Sequence, residues 1–150
     1  MIPAFTELGL LPEGIYQASW REVEMRLGFN AQRLSLIANA QAFVSELLYD
    51  LDGNLYLGGS LTTNKENPND LDLGINLIVS DKAKKMKAIA LHTTKQELKK
   101  RYNIDFNVSS QLGENYSHFF QKLKPIDVQN LGLTPTFRRG IVEVTPWKLG

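Results

Sequence analysis

The sequence predicts one mixed domain of the α/β (α+β) class, a short mixed sheet flanked by helices. Three observations lead there. Stretches with helical spacing interleave with about four short runs that alternate like strands. Capping signatures open several of the helical stretches. No internal repeat, low-complexity tract or linker divides the 150 residues, a length that suits one domain with a real core.

Residues 1–16 carry Pro3, Gly9, Pro12 and Gly14, a spacing that breaks any helix. An extended N-terminal arm is expected there, pinned to the body by Leu8, Leu10, Leu11 and Ile15. Ser19 with Glu22 forms a capping box for a short helix that stops near Gly28. Asn30 caps a longer helix, with Leu34, Ile37, Val44, Leu47 and Leu48 at helical spacing. A turn at "YDLDGN" leads to a strand at Leu55 to Leu57. Lys65 to Asn69 is a polar loop, and "DLDLGINLIV" is a strand from about Leu71 to Val79. Ser80 or Asp81 starts a lysine-rich helix, and Thr94 with Glu97 makes a second capping box for a helix to about Tyr102. "NIDFNV" alternates as a strand. Asn115 to Leu123 has Phe119, Phe120 and Leu123 on one helical side, and "RRGIVEVTPW" is a last strand ending at Pro146.

Composition narrows the function classes. The chain is 43% hydrophobic and 22% charged, with a formal net charge of +1. That balance fits a folded globular protein and carries no global field toward nucleic acid or membrane. It has no cysteine, which excludes disulfides and thiolate zinc sites. The opening "MIPAFTELGLLPEGIY" lacks a basic segment followed by a long apolar run, so it does not read as a signal peptide. No stretch approaches the ~18 apolar residues of a membrane span. A cytoplasmic protein with no membrane partner is the expectation.

The chemistry concentrates in "LYLGGSLTTNKENPNDLDLGINL". Alternation along a strand puts Asp70 and Asp72 on one face and Leu71 and Leu73 on the other. The two acids are then roughly 6 to 7 Å apart, at ~3.3 Å per residue. Carboxylates so spaced can share divalent ions with substrate phosphates. Upstream, Gly58 and Gly59 permit backbone geometry closed to other residues. A short helix opening at Ser60 would turn free N–H groups and a hydroxyl toward a phosphate.

Gly59 and Ser60, nine intervening residues, then Asp70 and Asp72 with one residue between them, resemble the signature of the DNA polymerase β-like nucleotidyltransferase superfamily. The segments "IPAFTELGLLPEGIY", "ASWREVEMRLG" and "RRGIVEV" extend the likeness over nearly the whole chain, to a family of small, poorly characterised bacterial and phage proteins with the same signature. The resemblance implies a minimal nucleotidyltransferase fold spanning residues 1–150. It implies a third carboxylate on a neighbouring strand after a helix, and Asp105 in "YNIDFNV" stands at that place. It further implies Asp70, Asp72 and Asp105 as catalytic residues and ligands of Mg2+ or Mn2+, and Gly59 and Ser60 as nucleotide-binding residues that seat the β- and γ-phosphates. A nucleoside monophosphate would pass from a nucleoside triphosphate, ATP among them, to a protein or RNA acceptor. The alternative is a non-catalytic module of the same fold that binds a nucleotide or a partner protein. The chain is short for such an enzyme, so a second copy or a partner protein could supply the acceptor site.

Other features have plainer readings. Lys65 is a loop lysine, with a phosphate contact as its functional alternative. Arg138 and Arg139 read as a charged strand edge, with a contact from one of them to the nucleotide's triphosphate as the functional alternative, and both stay outside the catalytic set. Asp50 to Asn54 lacks the glutamate that an EF-hand needs, since that position is Leu61. His92 and His118 have no ligand spacing. Ser60 is not in a Gly-x-Ser-x-Gly elbow. Lys82, Lys84, Lys85 and Lys87 form a solvated helix face, with an RNA backbone as the functional alternative.

Overall fold

The computed structural model describes residues 1–78, 81–109 and 115–149. Its elements in chain order are β1 (Ile15–Ala18), α1 (Trp20–Leu27), α2 (Ala31–Leu47), β2 (Gly53–Gly58), a 3-10 turn (Gly59–Thr62) and β3 (Leu71–Leu77). Then come α3 (Lys82–Thr93), α4 (Lys95–Tyr102), β4 (Ile104–Ser109), α5 (Tyr116–Gln121), α6 (Pro125–Asn130) and β5 (Ile141–Val144). The fold is mixed α and β, as expected, and among the described residues five strands form one sheet in the order β1-β5-β2-β3-β4.

Most helix boundaries follow local capping chemistry. Ser19 caps α1 by accepting from the Glu22 N–H, and Gly28 closes it. The Glu22 carboxylate does not return to Ser19; it accepts from the Ile2 N–H at 2.7 Å and ties down the arm. Asn30 caps α2 by accepting from the Arg33 N–H. Asp81 caps α3 through the Lys84 N–H. The expected box at Thr94 does not form. Thr94 ends α3 and begins α4 at once, and its hydroxyl donates back to the Ala90 and Leu91 carbonyls.

Further expectations are corrected. The arm ends before Ile15, because Ile15–Ala18 pairs in parallel with Ile141–Val144 as a fifth strand. Leu10 and Leu11 are buried and pin the arm, whereas Leu8 and Ile15 are exposed. On α2, Leu34 faces outward, and the buried stripe is Arg33, Leu36, Ile37, Ala40, Phe43 and Val44. On α5, Tyr116, Ser117 and Phe120 are buried while Phe119 is exposed. The strand expected to reach Val79 pairs to Leu77, and Val79 and Ser80 lie outside the described residues.

The sheet has two distinct faces. Leu55, Leu57, Leu71, Leu73, Ile75, Ile104, Phe106, Val142 and Val144 alternate onto one face and join α1, α2, α3 and α4 in the main core. The other face carries Asp72, Gly74 and Asn76 on β3 beside Asp105, Asn107 and Ser109 on β4. It is polar except where Tyr56, Tyr116, Phe120 and Ile141 form a small second cluster under α5. A period of two therefore gives one strand both a core surface and a chemical surface.

Candidate metal and nucleotide site

Parallel pairing of β3 with β4 sets Asp72 directly opposite Asp105. Asp70 comes one step before β3, and its side chain points to the same polar side. Carboxylate oxygens of Asp70, Asp72 and Asp105 all lie within 4.8 Å of one another. The three acids expected from the sequence are thus brought together. Asp105 Oδ1 is shut off from solvent and makes no hydrogen bond. Lys95 Nζ forms an ion pair with it at 3.1 Å, and donates to Asn107 Oδ1 at 2.7 Å.

The crowding of three carboxylates has an electrostatic cost. Burial, then the charges of Asp105 and Asp70, push the Asp72 carboxyl up to about 6, against the partial relief of Lys124 and Arg139. Asp70 is paired with Lys99 Nζ at 3.3 Å, and that contact raises the Lys99 ammonium above its ordinary value.

Gly59 and Ser60 form the start of the 3-10 turn, directly across from Asp72 through the Gly58–Asp72 pair. Gly59 has φ +66, and a Cβ there would lie 2.3 Å from Asp72 Oδ2. The glycine is required twice, by its backbone conformation and by the carboxylate packed on it. Gly58 and Gly74 make room for α5, since a Cβ on either would run into the Phe120 ring.

Two arginines hold this turn, and neither was assigned to the site from sequence. Arg33 is fully buried, and its guanidinium donates to the carbonyls of Leu27, Leu61, Thr63 and Lys65. Arg139, also buried, donates to the carbonyls of Gly59 and Thr62 and to the Thr62 hydroxyl. Burial lowers both to about 10, so both stay charged at neutral pH. The carbonyls of Gly59, Leu61, Thr62, Thr63 and Lys65 are thereby turned inward onto positive charge. Arg139 is no strand-edge guard. Arg138 is half-buried and donates to Pro135 and Phe137 carbonyls. A signal for Arg33 was present, because it falls on the apolar stripe of α2 at helical spacing. Lys95 and Lys99 carried a weaker signal, as an i, i+4 pair on the helix that leads into "NIDF".

A model of a family of unknown function, DUF6932, matches residues 3–145. The chain belongs to that family. No curated protein and no solved structure matches it significantly. The family description assigns no activity, so the chemistry of this DUF6932 chain rests on its geometry.

The donor set fits a hard divalent cation. Three carboxylates converge, one of their oxygens lacks a hydrogen bond, and Asp72 ionises against its neighbours. Mg2+ and Mn2+ prefer such oxygen ligands. The other candidates separate cleanly from the site. His92 and His118 are exposed and join no metal-ligand group among the described residues. Asp50 pairs with Lys87 and Asp52 with Lys84 and Lys148, which ties the calcium-like turn to α3 and Trp147's neighbour. Of the four lysines expected on a solvated helix face, Lys82 and Lys85 are exposed, whereas Lys84 and Lys87 are half-buried and paired with Asp52 and Asp50, and Lys65 contributes its carbonyl to Arg33. Among the described residues no helix is long and apolar enough to cross a membrane.

Proposed function

We propose that this chain is a metal-dependent nucleotidyltransferase of the DNA polymerase β-like kind, transferring a nucleoside monophosphate from a nucleoside triphosphate to a protein or RNA acceptor. One observation carries the reading: the three carboxylates expected from the signature converge within 4.8 Å, beside a glycine turn that packs against one of them. Asp70, Asp72 and Asp105 would hold Mg2+ or Mn2+, which supplies charge neutralisation at the phosphates when bound. Gly59 and Ser60 would seat the outer phosphates on a turn whose carbonyls face away, onto Arg33 and Arg139. Asp105 would orient the acceptor hydroxyl and take its proton. The new bond joins the acceptor oxygen to the α-phosphorus, and the bond to pyrophosphate breaks in line with it.

The test uses α-labelled ATP, GTP, CTP and UTP with Mg2+ or Mn2+ and pools of RNA and protein acceptors. Asp70→Asn should lower label transfer by roughly a hundredfold or more. Equal transfer by wild type and Asp70→Asn would refute the role of Asp70. A second reading, a non-catalytic module that binds a nucleotide or a partner, is favoured by the pairing of Asp70 and Asp105 with lysines of the same chain. Calorimetry with magnesium and each nucleotide separates the two: binding without transfer supports the module, and transfer supports the enzyme.

A further inference from the structure

Lys95 and Lys99 reach the acid cluster by a match of two periods. Four residues along a helix advance about 6 Å, and two residues along a strand about 6.6 Å. Asn103, at φ 56, turns α4 sharply into β4, so the helix runs back alongside the strand it precedes. Lys99 therefore stands level with Asp70, and Lys95 one strand step further along, level with Asp105 and Asn107. Spacing i, i+4 sends both side chains off the same face of α4. Both also keep contact with solvent: the Lys95 side chain is 29% exposed and that of Lys99 47%. Neither is locked into the core, and a four-carbon stem leaves each ammonium free to move.

The local charges do not suit these lysines in a loaded site. Three carboxylates face Lys95, Lys99, Lys124 and Arg139. An ammonium about 3 Å from a carboxylate competes with a divalent ion for the same oxygens. Once a pair of ions took those oxygens, the two amines would lack an anion, and a triphosphate would supply one.

We infer that Lys95 and Lys99 stand in for divalent cations in the metal-free site and hold the outer phosphates of the nucleotide when ions take the carboxylates. The inference rests on the metal-dependent nucleotidyltransferase reading and adds two substrate contacts to it. It requires opposite effects on two ligands when the lysines are removed, which loss of folding cannot mimic.

The experiment compares the full chain with Lys95→Gln, Lys99→Gln and the double variant, each checked for folding by circular dichroism. Free Mn2+ is followed by electron paramagnetic resonance, and inorganic triphosphate binding by calorimetry in saturating Mn2+. The double variant should bind Mn2+ alone about fivefold more tightly, from loss of two partly screened charges. It should bind triphosphate about tenfold more weakly, and Lys99→Arg should keep most of the wild-type affinity for it. Mn2+ binding that the substitutions leave unchanged, or both affinities moving in one direction, overturns the inference and spares the metal site. A wild type that binds no Mn2+ overturns the metal reading and the inference together.

Discussion

Asp72 stores a cost that a single isosteric change should release. In the folded chain its carboxyl is raised from 3.8 to about 6, mainly by burial and then by Asp105 and Asp70. A rise of roughly two units, at ~1.4 kcal/mol each, makes ionised Asp72 unfavourable by about 3 kcal/mol. The sign follows from linkage. Between about pH 4 and pH 6 the folded state holds a proton at Asp72 that the unfolded state has released, so this group's contribution falls as pH rises. Above pH 6 the full penalty is present, and below pH 4 there is none. Asp72→Asn should therefore be more stable than wild type at pH 7.5 by about 3 kcal/mol, or ~6–12 °C in melting temperature for a domain of this size. The difference should vanish toward pH 4. Urea unfolding of both proteins across pH 4 to 8, with a chelator present, measures it. A stability difference that does not change with pH, or a variant less stable at pH 7.5, would refute the electrostatic account. Mn2+ in place of the chelator should stabilise wild type and leave Asp72→Asn almost unmoved.

Two further predictions concern the turn. Gly59→Ala should destabilise by roughly 2 kcal/mol, from left-handed backbone strain plus displacement of the Asp72 carboxylate, and should weaken Mn2+ binding about tenfold. Gly132→Ala is the control for that measurement, because Gly132 has φ +67 with nothing within 4 Å of an added Cβ, so it should show the backbone cost alone. Arg33→Met should cost about 3–5 kcal/mol in urea unfolding, since four carbonyls lose their donor, and Arg33→Lys should recover little because one amine cannot fork to all of them.

What could be read from the sequence was whatever is settled within a few residues. The caps at Ser19, Asn30 and Asp81, and the alternation that puts Asp70 and Asp72 on one side, follow from neighbours in the chain. Thr94 failed as a cap because two helices compete for one residue, and the earlier one takes its hydroxyl. The strand Ile15–Ala18 was invisible because its partner is at Ile141–Val144, and four residues show little alternation. The short helix Pro125–Asn130 buries none of its residues, so no apolar stripe announced it. Arg139 looked like an ordinary edge charge because its acceptors belong to a turn distant in sequence. The acids of the site were legible, while the cations that hold and balance them depend on tertiary placement.

The strand order has a consequence for how the molecule is made. β5 lies between β1 and β2, so the sheet stays in two pieces until Ile141–Val144 has emerged from the ribosome. Until then β1 has no partner, and the Leu55–Leu57 edge of β2 is open. The Trp20 indole is likewise waiting for the Trp147 carbonyl, which it meets at 2.8 Å. Pairings this distant delay folding and leave an unpaired, apolar edge in the nascent chain.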